Sequence, residues 1–413
     1  MARVRPFRPL RYVCPSETDL GRRIAPPYDV IDATMRAELE TRDPHNVVQL
    51  DLPAGEGDSK YDAAAHLLSA WSAEGVLARD EQPAFFTYSQ RFVNPADGGV
   101  RTRRGFFAAV ALEPYDKQVI LPHERTLSGP KEDRRKLLEA TRTALSPGFL
   151  LFRGRGELDR LAGSEEVLAE FQTPDGIEHR LGRVVEPAVL EAVSTSFADA
   201  QLLIADGHHR YETALRYGDL RAEGEGAASR HGLFFLVDED DPELLVLPTH
   251  RIVHSLPTFD ESAFLAKVAE HFDVRPLDTD TALAELAAAG KASPSFAIRT
   301  KDSFVLASLR PSDAARELDV VLLHELLIEK ILGVSREAQA AKTNLRYVQD
   351  AAVALAQTAT GDSGAQVTFL LNSTPASDVR KIASAGEVMP QKSTFFYPKV
   401  PTGLMFLPLE GAL

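Results

Sequence analysis

The sequence has 413 residues, 44% of them hydrophobic and 26% charged, enough to bury a sizeable core without staples. Its 46 basic residues stand against 60 acidic ones, and the net charge of −14 argues against a non-specific nucleic-acid binder. One cysteine, Cys14, excludes an internal disulfide and a cysteine-built zinc cluster.

The length predicts two or three domains. The N-terminus, Met1 to Pro6, is basic but has no apolar stretch after it, so it does not read as a secretory signal. No apolar run reaches the 18 or so residues of a membrane span. Residues 318–332 come nearest, but they carry Asp319, His324, Glu325, Glu329 and Lys330 and read as a buried helix. The expected setting is cytoplasmic, with no membrane partner.

Residues 24–31, with Pro26-Pro27-Tyr28-Asp29, read as an extended corner fixed by proline. Residues 47–52 suit a strand. Residues 60–73 have helical spacing, with Ala64, Leu67, Leu68 and Trp71 on one face. Residues 84–92 and 103–112 read as paired strands around an Asn-Pro-Ala-Asp-Gly-Gly turn. From about residue 118 strands and helices alternate. Strands are expected at 119–121, 149–152, 180–185 and 201–205. Helices are expected at 131–145, 158–171, 187–197 and 208–220. Beyond a Gly/Ala/Glu stretch at 223–230, residues 233–238 and 244–247 suggest a hairpin. A helix follows at 264–272, a hairpin at 295–309, a helix at 318–332, a strand at 367–371 and a short helix at 376–385. The tail from 389 to 407 is extended and interrupted by proline. The expected class is α+β or mixed α/β, in three segments: 1–117, 118–230 and 231–413.

Several strong signatures are missing. There is no phosphate-binding G-x-x-x-x-G-K-[ST], no G-x-S-x-G elbow, and Gly154-Arg155-Gly156 lacks the third glycine of a dinucleotide turn. The segment that carries chemistry is Leu202-Leu203-Ile204-Ala205-Asp206-Gly207-His208-His209-Arg210-Tyr211-Glu212-Thr213-Ala214. An apolar strand ends in Asp-Gly and a helix starts at once. Gly207 permits a sharp turn. The first N–H groups of the helix, with its dipole, favour an anion. His208, His209 and Arg210 add donors, and an arginine fork matches phosphate oxygens. Asp206 could hold a magnesium ion or orient a histidine. The plainer reading is a capped helix start with surface histidines.

This turn resembles the phosphate-binding strand–turn–helix of the ParB/sulfiredoxin superfamily, in the D-G-H-H-R form of its free serine kinases. The wider chain resembles the DUF1015 family of bacterial proteins. The matching stretches are Arg5 to Leu10, Ala25 to Val30, Pro122-His123-Glu124-Arg125-Thr126, Pro130-Lys131-Glu132-Asp133-Arg134, Asp206 to Ala214 and Lys392 to Lys399. The resemblance implies a ParB/sulfiredoxin-like nucleotide-binding core over 118–230. The flanking α/β regions would be elaborations, the C-terminal one completing the site. It places Glu124 where such a kinase keeps its catalytic glutamate, with Asp206 and His208 as catalytic partners. Gly207, His208, His209 and Arg210 would bind the nucleotide phosphates.

The implied reaction moves a phosphoryl group from ATP or ADP, with Mg2+, to the hydroxyl of a free amino acid. L-serine, giving O-phosphoserine, is the expected acceptor. Glu124 would take the hydroxyl proton, since phosphoryl transfer needs positioned phosphates, neutralised charge and an oriented hydroxyl. Asp206 is the candidate magnesium ligand. His123 and Thr126 are candidate substrate contacts. So are Thr249, His250 and Arg251, which follow a strand and offer donors for a carboxylate. Lys131, Arg134 and Lys392 are candidate supports, and Ser393, Thr394 and Lys399 bring hydroxyls and charge into the tail. The bland alternatives are a solvated carboxylate at Glu124, an exposed helix face at Lys131 and Arg134, and a polar turn at Thr249 to Arg251. The competing function is a nucleotide-binding ParB-like switch with no amino-acid acceptor. A sulfiredoxin-like reductase would need a cysteine where His208 stands. A metal hydrolase on His123, His208 and His209 lacks a recognised ligand spacing. The expected partners are a nucleotide and a small amino acid, with a homodimer left open.

Overall fold

Apolar residues crowd both arms of the expected hairpin, and they pair in unbroken register from Phe86↔Phe107 to Val93↔Val100. The turn between them closes on Asn94, which bonds Gly99 and Gly98 through its backbone, with Gly98 at a φ of 72°. This computed structural model describes residues 1–14, 19–124, 126, 128–221, 223–310 and 318–413. Arg125 lies outside these residues, as do the side chains of 128–130, Pro130 among them. The chain forms two compact units. The first holds Met1–Pro122, Thr126–Leu245 and Pro398–Leu413, and the second His123–Arg125 and Val246–Tyr397.

The first unit is built on a nine-stranded mixed sheet. Its strands are Val4–Arg5 (β1), Phe86–Val93 (β2), Val100–Ala111 (β3), Ile120–Leu121 (β4), Gly148–Phe152 (β5), Glu166–Gln172 (β6), Glu178–Arg183 (β7), Leu202–Asp206 (β8) and His231–Asp238 (β9). The order is β4-β8-β5-β9-β3-β2-β7-β6, with β1 on β3. β8 runs parallel to β4 and antiparallel to β5. β9 runs parallel to β5 and antiparallel to β3. Every residue of β5, and all of β8 but Asp206, is buried. Such continuous apolar runs mark strands covered on both faces. One face packs Phe106, Phe152, Phe197, Ile204, Tyr211 and Phe234 into a common core.

The helices around this sheet include Ser59–Ala73 (α1), Ser128–Thr141 (α2), Glu157–Ala162 (α3), Pro187–Ser196 (α4) and His208–Arg221 (α5). α2 lies against both α1 and α5. Tyr211, one turn into α5, donates to the Glu113 carbonyl at 2.6 Å, accepts the Glu113 N–H at 2.9 Å and stacks on Tyr115. The start of α5 is thereby fixed to the rest of the unit.

Four sequence expectations change here. Residues 48–51 form a one-turn helix rather than a strand, because the Asn46 side chain accepts the Val48 N–H and starts the turn. The helix expected over 158–171 stops at Ala162. Beyond it, buried Ala169 and Phe171 alternate with exposed Glu170 and Gln172 along the edge strand β6. Residues 28–30 tighten into a 3₁₀ turn within the proline corner. The strand at 231–238 has β5 and β3 as its neighbours, so it does not form a hairpin with 244–247.

The second unit carries a six-stranded antiparallel sheet. Its strands are His250–His254 (β10), Phe272–Pro276 (β11), Ser295–Arg299 (β12), Phe304–Leu309 (β13), Leu345–Val348 (β14) and Ala365–Leu370 (β15), in the order β11-β13-β12-β15-β10-β14. The helices Ala282–Gly290 (α6) and Ala351–Thr360 (α7) bring Leu286 and Ala354 onto Ile252, Leu306 and Leu370. The helix expected at 318–332 begins as α-helix over Asp319–Leu322 and continues as π-helix over Leu323–Ile331. Among the described residues no helix is long and apolar enough to cross a membrane.

Candidate functional site

β8 leaves the buried sheet at Asp206, and the chain turns at Gly207 with a φ of 92°. That left-handed value suits glycine alone without strain. The first internal bond of α5 runs from the Tyr211 N–H to the Gly207 carbonyl. The N–H groups of residues 208–210 precede it and point out of the helix start. Arg210 folds back over Gly207, where an added Cβ would lie 2.9 Å from its Nε. Its Nη2 donates to Asp206 Oδ2 at 2.5 Å, and its Nη1 donates to the Pro147 carbonyl. The other carboxylate oxygen, Oδ1, receives Lys399 Nζ at 2.8 Å. Asp206 therefore orients two cations at the helix start. His208 is buried and His209 half-buried beside them.

An open cleft adjoins Arg210, walled by Leu137, Leu145, Leu233 and Phe234, with Asp51 and Arg134 at its polar side. Arg134 is buried rather than on an exposed helix face. It donates to the Asp51 carbonyl and carboxylate at 2.6 and 3.2 Å, pairs with Asp133 at 2.6 Å, and packs over Tyr28. Burial disfavours its charge, but Asp51 and Asp133 more than offset this and raise its pKa. Lys131 and Thr126 meet on Glu212: Lys131 Nζ lies 2.9 Å from Oε2, and Thr126 donates at 2.9 and 3.0 Å. Two of the expected supporting and substrate positions thus converge on one carboxylate of α5.

Within the second unit Glu124 is bound by a run of three amides. Ser393 and Thr394 N–H donate to Oε1 at 3.0 and 3.3 Å, and Lys392 N–H donates to Oε2 at 3.3 Å. Lys392 adopts a φ of 56°, which turns successive N–H groups toward one point as in an anion nest. His123 is fully enclosed and bonds Thr394 Oγ1 through Nε2 at 2.9 Å. Thr249, His250 and Arg251, the candidate substrate contacts after a strand, are interior residues rather than a polar turn. Arg251 donates to the Thr249 carbonyl, to the Lys392 carbonyl at 3.0 Å and to His324 Nε2 at 3.3 Å. It lies over Tyr347, and burial pulls its pKa down to about 10. The Lys392 peptide is thus gripped on its carbonyl by Arg251 and offers its N–H to Glu124. His324 Nδ1 lies 2.6 Å from Gln339 Oε1, so the ring is neutral with Nε2 accepting. His250 Nδ1 accepts the Leu371 N–H, and the Thr249 hydroxyl has no partner among the described residues.

As arranged here, Asp206 does not offer open oxygens to a resident magnesium ion. Magnesium favours open carboxylate oxygens, whereas each oxygen of Asp206 faces a cation. Among the described residues no three histidines, cysteines or carboxylates gather as a metal-ligand group.

A family model described as "Protein of unknown function (DUF1015)" matches residues 4–321. The chain belongs to the DUF1015 family. No curated protein matches this DUF1015 member at a significant level. Among solved structures it is similar to a conserved hypothetical protein from Pyrococcus furiosus, at 18% identity and a TM-score of 0.39, over 73% of this chain and 94% of that one. It is also similar to a free serine kinase in complex with AMP, at 16% identity and a TM-score of 0.39, over 73% and 92%. A C-terminally truncated SbnI from Staphylococcus aureus follows at 11% identity and 0.36, over 72% and 86%. At such TM-scores none of the three carries an argument about the site, which stands on its own geometry.

The DUF1015 motifs contain Glu124, Asp206, Arg210 and residues 392–394, but do not say which of them meet. Asp51 and His324 gave no signal, and Glu212 lies inside the matched turn without a legible role, because each acts through a residue far away in sequence. Lys399 stood in a matched stretch, yet only the fold brings it to Asp206.

Proposed function

We propose that this DUF1015 protein is a small-molecule phosphotransferase. It takes a phosphoryl group from ATP or ADP and transfers it to the hydroxyl of a free amino acid, with L-serine as the expected acceptor. The observation that carries the reading is the Asp206 carboxylate held between Arg210 and Lys399 at a helix start. Those cations and the outward N–H groups suit the oxygens of a phosphate chain. Because Asp206 fixes both cations before the ligand arrives, little reorganisation is left for the transition state. The cleft beside Arg210 offers an apolar wall against which a base or sugar could lie.

In this reading the acceptor oxygen attacks the terminal phosphorus and the bond to the bridging oxygen breaks. The hydroxyl proton passes to the carboxylate of Glu124. The amides of residues 392–394 fix that carboxylate, and Arg251 and His123 are positioning residues behind it. Mg2+ would travel on the nucleotide phosphates, since Arg210 and Lys399 already face the two oxygens of Asp206. A ParB/sulfiredoxin-like core over 118–230 is part of the proposal. The order of β4, α2, β5, β8 and α5 in that segment supports it.

Purified protein incubated with ATP or ADP, Mg2+ and L-serine is expected to yield O-phosphoserine, read by phosphorus NMR. Nucleotide turnover that yields inorganic phosphate and no phosphoserine would favour the nucleotide-switch reading. No turnover and no binding would remove both.

A further inference from the structure

Arg103 on β3 is fully enclosed, at 0% exposure. One of its nitrogens, Nη2, donates to Gln90 Oε1. Its Nε and Nη1 are enclosed and have no acceptor among the described residues. No described carboxylate forms an ion pair with it. Its surroundings are instead the faces of Phe149 and Phe235, at 4.9 and 5.6 Å from ring centre to guanidinium carbon. Burial lowers its pKa to about 10, so it stays charged at neutral pH. Asp206 and Asp241 attract this charge without reaching it as an ion pair. A buried charge left without a direct ionic partner is unfavourable, and natural folds seldom keep one without a use.

Its neighbours lead to the phosphate turn. Phe149 is paired with Asp206 across β5 and β8. Gln90, which holds Arg103, donates through Nε2 to the Lys399 carbonyl at 3.1 Å. The ammonium of the same Lys399 holds Asp206. An unbroken chain of contacts therefore runs from Arg103 through Gln90 and Lys399 to Asp206 and Arg210. Arg103 is the member whose donors are left over.

We propose that Arg103 is an oxyanion receptor whose leftover donors take a phosphate or carboxylate group of the ligand bound at the 206–210 turn. This rests on the reading of that turn as an anion site. Nη1 and the second proton of Nη2 form a fork that matches either group. Binding replaces no ion pair, because the only partner given up or shared is a neutral amide oxygen. Access to the enclosed group requires local opening of the chain around it.

The test is calorimetric titration of the full chain and of Arg103→Met with three probes: inorganic phosphate, ADP and L-serine. Arg103→Met is expected to lose at least tenfold in affinity for phosphate and ADP together if the group is a phosphate, or for L-serine if it is a carboxylate. Its melting temperature without ligand should equal or exceed that of the wild type, since an unpaired buried charge is gone. Wild-type affinity of Arg103→Met for all three probes overturns the proposal, as does a lack of binding of any probe by the wild type. Should Arg103→Met fail to fold, Arg103→Gln carries the same comparison with the same two outcomes. If the wild type binds ADP but makes no phosphoserine, the transfer reading falls while the receptor role stands. If Arg103→Met makes phosphoserine with unchanged KM values, the receptor role falls while the transfer reading stands.

Discussion

Lys399 Nζ lies 2.8 Å from Asp206 Oδ1, although the two residues are 193 positions apart. Arg210 holds the other oxygen of the same carboxylate. Removing the ammonium takes one cation from Asp206 and leaves the Arg210 pair in place, so the turn becomes less positive while its backbone keeps its shape. Lys399→Met should therefore bind ADP about tenfold more weakly, a loss of roughly 1.4 kcal/mol, with the secondary structure intact. Calorimetric titration with ADP beside circular dichroism checks both halves.

Gly207 is a conformational requirement. At a φ of 92°, an alanine there is strained and its Cβ meets Arg210 Nε at 2.9 Å. The strain in such a region is on the order of 1–3 kcal/mol. Gly207→Ala is expected to lower the melting temperature of the protein and to weaken ADP binding by displacing the guanidinium. A variant that melts and binds like the wild type would show that the turn does not need this conformation.

Glu124→Gln keeps the size of the side chain and removes its charge. Loss of a general base slows a reaction by roughly 10²–10⁴-fold. Phosphoserine formation should fall by that factor while ADP affinity stays within twofold, since the phosphates are assigned to residues 206–210. The contrary pattern, lost ADP binding with turnover preserved at saturation, would move Glu124 to the nucleotide.

Three buried histidines set a pH dependence. Burial pulls His179 and His250 down to about 4 and His324 to about 3. Folded, they stay neutral where the unfolded chain is already taking protons, near pH 6.5. Their contribution is fully present above that value. It is lost as pH falls from 6.5 towards 4, by up to about 1.4 kcal/mol per pH unit for each. Asp319 works in the opposite sense, because burial raises it to about 6 and favours the protonated folded form. Its contribution is lost as pH rises from about 4 to 6, which offsets one histidine of the three. Stability should therefore rise with pH between 4.5 and 6.5. Urea melts at 4.5, 5.5 and 6.5 measure it, and a flat or falling series would contradict neutral burial.

The legible parts of the sequence were those where local chemistry decides the outcome. Apolar alternation on either side of Asn94 to Gly99 set the hairpin, and Asp206-Gly207 marked the end of a buried strand before a helix. Residues 158–171 misled because Leu158 and Leu161 continue into Val167, Ala169 and Phe171, a run that fits helical and strand periods alike. Only pairing with β7 settles the second half as a strand. At the site, Glu124 and Arg210 were visible as motif members. The amides of residues 392–394, the grip of Arg251 on Lys392 and the Glu212 meeting point depend on long-range packing. Thr249, His250 and Arg251 read as candidate substrate contacts at a strand exit, and their burial was not legible because it comes from the sheet around β10. Arg103 gave no signal, since an arginine in a strand reads as exposed until its neighbours are known.

The central claim is that residues 206–210, with Lys399, hold the phosphates of a nucleotide. A crystal structure of the protein with ADP bound tests it most directly. Phosphate oxygens are expected within hydrogen-bonding distance of the N–H groups that open α5 and of the Arg210 or Lys399 side chain. Phosphates bound elsewhere, with Asp206 still held between its two cations and the helix start unengaged, would contradict it.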